Sequence, residues 1–235
     1  MAHAEVKRFY KEVSVGETDQ GWRVLLDGRP IRTAGSRPQI VATRELGEAL
    51  AAEWSAQDEE IDPASFHLRD LADFAVDAVA TDRAEVIRGL IPYAETDTLC
   101  YRADPEDALY RRQLEIWEPL LADAEARWAL RFTRVSGIVH KPQPSETLAR
   151  LARVLESEND FSLAALRMLT NLSASLVISL SAIQPDADAE TLWNAANLEE
   201  DWQVALWGED WEAAERRKAR YEAFRLAMRF AALAR

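Results

Sequence analysis

The stretch GWRVLLDGRPIRT, residues 21–33, decides how the chain begins. Its two runs flank Asp27-Gly28, and an Asp-Gly pair accepts the positive φ that both central positions of a type I′ turn demand. The spacing predicts an antiparallel hairpin turning at Asp27-Gly28. Upstream, FYKEVSV (9–15) alternates in period two, and downstream PQIVA (38–42) offers a third short run. A small antiparallel sheet over residues 6–42 is the expectation.

The period then changes. Thr43 is placed to cap a helix in which Leu46, Leu50, Glu53, Trp54 and Gln57 recur at three and four residues. DEEIDP (58–63) ends it, because the residue before Pro63 disfavours helix. Apolar stripes at Leu71, Phe74, Ala75, Ala78 and Val79, and at Val86, Ile87, Leu90 and Ile91, predict further helices. A long helix is expected from Asp104-Pro105 through Trp117 and Leu121, bent at Pro119. Residues 131–139 read as a strand or an extended link, and helices are expected at about 146–157, 161–183, 188–207 and 210–233. The fold class is therefore α+β. A small β-rich N-terminal domain (1–62) ends in a helix and precedes a larger all-helical domain (63–235).

Composition excludes several functions. A net charge of −13 would be repelled by nucleic acid and by anionic lipid, so neither is an expected partner. No apolar run approaches the ~18 residues of a membrane span, and MAHAEVKRFYKEV has no signal or transit character. A cytosolic or mature protein is expected. Cys100 is the only cysteine and His3, His67 and His140 lie far apart, so no metal site is expected. Glycine-rich phosphate cradles are missing, and no cofactor is implied. The acidic run Asp58, Glu59, Glu60, Asp62 lacks cation-loop spacing. Cys100, or a carboxylate pair, could serve a small hydrolase, but no serine carries a nucleophile-elbow pattern and no complete catalytic constellation is visible.

The densest candidate is NLEEDWQVALWGEDW (197–211). On one continuous helix over 192–207, Glu199 falls among Leu192, Ala195, Ala196, Trp202 and Leu206, with Trp207 widening the apolar arc. Gln203 shares that face one turn later and is placed to hydrogen-bond Glu199. Glu200 lies at the edge of the arc, Asp201 points to solvent, Trp202, Leu206 and Trp207 read as packing residues, and Gly208 ends the helix. A carboxylate on an apolar face is costly unless paired. Two readings stay open: an internal ion pair with Arg102 or Arg167, or a partner that supplies the cation. Two further clusters are Glu95, Thr96, Asp97, Thr98 and Arg102, where capping by Thr96 or Asp97 is the structural reading, and Trp54 with Gln57, where core packing by Trp54 is.

These segments together resemble the ATP-synthase assembly chaperones of the ATP-twelve family. The matching stretches are RFYKEVSV (8–15), GWRVLLDGRPIRT (21–33), AAEWSAQDEEIDP (51–63), YAETDTLCYRA (93–103) and LEEDWQVALWGED (198–210). The resemblance implies a non-enzymatic chaperone that shields the unassembled alpha subunit. It also implies a β-rich domain followed by a helical one. It carries a functional acidic residue onto Glu199, and a tryptophan linked to loss of function onto Trp54. Eukaryotic relatives act in the mitochondrial matrix, and a bacterial cytoplasmic member is the expectation here. The chain departs from the family pattern at Thr98, where a leucine is usual. It departs again at Ala174-Ser175, where a Gly-Ser pair is usual and close helix approach is expected to be altered.

Overall fold

The computed structural model describes residues 6–137, 139–208 and 210–235. The N-terminal elements are β1 (Val6–Lys7), β2 (Val13–Thr18), β3 (Gly21–Leu26), β4 (Arg29–Pro30), α1 (Arg44–Ser55) and β5 (Glu60–Ile61). Then come α2 (His67–Phe74), α3 (Arg83–Leu90), α4 (Pro92–Glu95), β6 (Tyr101–Arg102), α5 (Ala108–Trp128) and β7 (Val135–Ser136). The remainder is α6 (Ser145–Ser157), α7 (Asp160–Ser173), α8 (Leu176–Ala182), α9 (Ala189–Ala196), α10 (Leu198–Trp207) and α11 (Trp211–Leu233). The fold is α+β, as expected.

The hairpin turns where the sequence places it. Asp27 and Gly28 have φ of 48° and 76°, and Leu26 pairs with Arg29. The three-stranded sheet runs β2-β3-β4. Its first strand starts at Val13 rather than Phe9, because the preceding backbone is held by a side chain. Lys11 and Glu12 donate their N–H groups to the Asp27 carboxylate at 3.0 and 2.8 Å. Residues 38–42 form no strand and only bridge, Pro38 to Arg32 and Val41 to Trp22. Pro38 has no N–H to give a ladder. Helix α1 starts at Thr43, whose hydroxyl accepts from Leu46 N, and packs on the sheet. The approach is close enough that a Cβ on Gly47 would meet Val15 and Trp22 at 3.2 and 3.3 Å.

Two expected long helices are broken, each for a local reason. The helix over 161–183 is α7 and α8, separated where Ala174 takes φ 52° and Ser175 caps α8 by accepting from Ile178 N at 3.0 Å. The helix over 188–207 is α9 and α10. At the break, Asn197 turns its side-chain amide back onto Trp193 O at 2.8 Å and ends α9. Helix α5 begins at Ala108 rather than at Asp104-Pro105 and runs through Pro119. Among the described residues of 131–139 there is one two-residue strand, β7, parallel to β6.

Compactness is a separate criterion from strand content. By contacts, one unit comprises Met1–Arg83, Asp160–Ala165 and Arg229–Arg235, and the other comprises Ala84–Asn159 and Leu166–Met228. Among the described residues no helix is long and apolar enough to cross a membrane.

Candidate functional site

In the first unit, Trp54 sits between Tyr10 and Phe66, with ring centroids 5.6 and 4.5 Å away. Tyr10 donates its hydroxyl to Trp54 O at 2.6 Å. Gln57 is buried and ties three chain segments together: its amide donates to Glu53 O and Ser65 Oγ, and its carbonyl accepts from Asp62 N. Glu53 caps α2 by accepting from Leu68 N and Arg69 N at 2.7 and 2.9 Å. Trp54 and Gln57 thus lock the end of α1 to the chain between Asp62 and Phe66, which is the structural reading of that motif.

The second unit holds the other clusters. Asp97 is fully buried and accepts from Leu99 N, Ser175 Oγ and Val177 N at 3.1, 2.7 and 3.0 Å. It organises the 3₁₀ turn Thr98–Cys100 and the first turn of α8 at once. Burial pushes its carboxyl up to about 6 against those hydrogen bonds. Arg102, also buried, donates to Glu118 at 2.6 Å, and Arg134 bridges Glu118 and Glu125. Arg102 is therefore committed to α5 and is not the partner of Glu199. Cys100 is fully buried, and burial followed by the Asp97 charge pushes its thiol far up, so it offers no accessible nucleophile to a hydrolase. No group of His, Cys, Asp and Glu among the described residues could hold a metal ion.

Glu199 stands in the first turn of α10. It takes a hydrogen bond from Gln113 Nε2 of α5 at 2.8 Å, and Gln113 in turn accepts from Ala103 N at 2.8 Å. Burial raises the Glu199 carboxyl above its ordinary range, with the Gln113 bond opposing. The residue nevertheless stays open to solvent. Among the described residues it has no cationic partner, so the internal ion pair weighed from sequence is not formed. Nor does Gln203 reach it: Gln203 is exposed, and the donor comes from 86 residues away. Glu200 is exposed. Asp201, expected to be solvated alone, is paired with Arg217 of α11.

The break at Asn197 interrupts the continuous helix expected from sequence. Trp202 is half-buried. Leu206 and Trp207 do not pack: they are 65% and 85% exposed, and Trp211, past Gly208, is 73% exposed. Thr96, Thr98, Tyr101, His140 and Glu199 together line an open depression of about 370 Å³. Tyr101 Oη and His140 Nδ1 lie 2.7 Å apart. Sequence reasoning named Thr96 and Glu199 separately and missed Gln113, Tyr101 and His140 as their neighbours.

The family described as ATP12 chaperone protein matches this chain over residues 7–125. The crystal structure of Atp12 from Paracoccus denitrificans is 36% identical, with a TM-score of 0.92 over 98% of this chain and 99% of that one. A variant of the Paracoccus protein with an aspartate replaced by lysine gives the same identity and TM-score over 98% of both chains. The Atu1473 protein of Agrobacterium tumefaciens, provisionally assigned as a chaperone, is 35% identical at TM-score 0.92, over 97% of this chain and 86% of that one. Fold and comparisons define the class: an α+β chaperone concerned with assembly of ATP synthase. The chain belongs to the ATP12 chaperone family.

Proposed function

We propose that the chain binds and shields the unassembled alpha subunit of ATP synthase, in the bacterial cytoplasm, without catalysing a reaction. The observation that carries this reading is the exposure of Leu206, Trp207 and Trp211 within six residues. Large apolar side chains left in water on a single chain mark a surface that another protein covers. Tryptophan is also enriched among residues that dominate binding energy. Glu199 and Glu200 stand on the same helix, α10, and Glu212 lies in the first turn of α11. An acidic surround of this kind speeds encounter with a basic client and disfavours acidic ones. An alpha subunit lacking its neighbours exposes the apolar surface they would cover, which fits such a patch.

The experiment is suppression of aggregation of isolated alpha subunit, followed by light scattering. Wild-type protein is expected to suppress it. Trp207→Ser with Trp211→Ser is expected to abolish suppression while melting within about 0.5 kcal/mol of wild type, the usual range for exposed substitutions. Suppression by the double variant equal to wild type refutes the placement of the client surface. No suppression by wild type refutes the client.

A further inference from the structure

We propose that the depression beside Glu199 receives one basic side chain, a lysine or an arginine, from a bound protein. The donors and acceptors that line it define what it can take. A threonine hydroxyl has one hydrogen to donate and two lone pairs to accept with. Thr98 Oγ1 donates to Ala174 O at 3.0 Å, and Thr96 Oγ1 donates to Pro92 O at 3.2 Å. Both hydrogens are spent on backbone carbonyls, so toward the depression these hydroxyls can only accept. Glu199 Oε1 accepts from Gln113, which leaves the second carboxylate oxygen without a partner among the described residues. Tyr101 and His140 share one hydrogen bond of 2.7 Å, and His140 Nε2 faces Glu95 Oε1 at 3.8 Å. Their rings lie 10° from parallel, a flat wall beside the acceptors.

Two threonines and a carboxylate that can only accept, one of them charged, favour a ligand with several donors, no acceptor and a positive charge. An ammonium offers three donors and a guanidinium five, and neither accepts. An aromatic wall adds attraction for either cation. Neutral amides bring an acceptor that would face acceptors, and a carboxylate would be repelled. Among the described residues no cation pairs with Glu199, which accepts from Gln113 and is exposed. A volume of about 370 Å³ lies at the low end of small-ligand sites and suits the end of one side chain.

The protein that carries this side chain rests on the client reading above, but the chemistry of the depression does not. The test uses the whole chain, ¹⁵N-labelled, titrated with Nα-acetyl-lysine amide, Nα-acetyl-arginine amide, Nα-acetyl-norleucine amide and Nα-acetyl-glutamate amide. Saturable amide shifts at Thr96, Thr98 and Tyr101 are expected with the lysine or the arginine probe and with neither control. The stronger of the two binders identifies the side chain. Glu199→Gln, nearly the same size and able to keep Gln113 as donor, is expected to weaken that binding about fivefold or more. Equal shifts from norleucine, no shift from any probe, or an unchanged affinity in Glu199→Gln each overturn the proposal. Isolated alpha subunit is titrated in parallel. If probes bind and alpha subunit does not, the client reading falls and the depression's chemistry stands. If alpha subunit binds wild type and Glu199→Gln equally while probes fail, the reverse holds.

Discussion

Two alanines sit in the left-handed region at helix ends, and glycine should be the better residue at both. Ala174 closes α7 with φ 52°, its N–H donating to Thr170 O at 2.9 Å. Ala129 closes α5 with φ 53°, its N–H donating to Glu125 O. Each is a single left-handed cap of the kind usually made by glycine. A Cβ in this conformation costs roughly 1–2 kcal/mol. Glycine removes that cost but gives the unfolded chain more freedom, about 0.5–1 kcal/mol. Both residues are exposed, so their methyl groups contribute little burial. The balance is a stabilisation of about 0.5–1 kcal/mol for Ala174→Gly and the same for Ala129→Gly. In a chain of 235 residues that is about 1–4 °C in melting temperature. The sites share no partner, so the double variant should equal the sum within about 0.5 kcal/mol. Urea titration followed by circular dichroism reads all three. Ala122→Gly, exposed in the interior of α5, is the control and should lose about 1 kcal/mol. Cap variants that lose as much as this control would falsify the assignment of strain to these two positions.

Three further outcomes are expected from the structure. Trp54→Ala should cost about 2–4 kcal/mol, somewhat less than a fully enclosed tryptophan, because it empties the space between Tyr10 and Phe66. Trp54→Phe should cost clearly less, since Trp54 Nε1 has no hydrogen-bond partner among the described residues; equal losses by urea titration would contradict this. Asp97 is raised to about 6 from an ordinary 3.8, so its contribution is fully present below the lower value and is lost as pH rises through the upper. Wild type should therefore lose about 2 kcal/mol relative to Asp97→Asn between pH 4 and pH 7, and parallel stability curves for the two proteins would count against it. Arg134→Met leaves Glu125 without its arginine and Glu118 with Arg102 alone. It should cost about 2–4 kcal/mol at neutral pH and less as pH falls through the Glu118 value, which the Arg134 hydrogen bond holds below the ordinary carboxylate range; a pH-independent loss would show that the arginine acts through packing only.

What was legible in the sequence was local. Asp27-Gly28 dictates its own turn, and Thr43 lies three residues before the N–H it caps. The acidic position on α10 was also legible, because it stands out from its helix. Its surroundings were not. Gln113 lies 86 residues away, and no periodicity connects the two. The exposure of Leu206 and Trp207 was hidden for a more specific reason. A helical wheel assumes one axis, and Asn197 ends that axis by turning its side chain onto Trp193. An asparagine within an apolar stripe was the available signal of a break. The family's usual glycine at position 174 had likewise suggested close helix packing. The left-handed φ and exposure of Ala174 show a conformational reason instead.

The first compact unit is discontinuous in sequence. It requires residues 229–235, through contacts such as the hydrogen bond from Thr43 to Leu233 O. During synthesis, 145 residues lie between Arg83 and Arg229. At about 5–20 residues per second, the ribosome needs roughly 7–30 s to cross that interval. The sheet and α1 are complete in sequence long before the segments that finish their unit exist. A chaperone built this way spends part of its own birth as an unfinished surface, and fusions after residue 235 should disturb its first unit as much as its last helix.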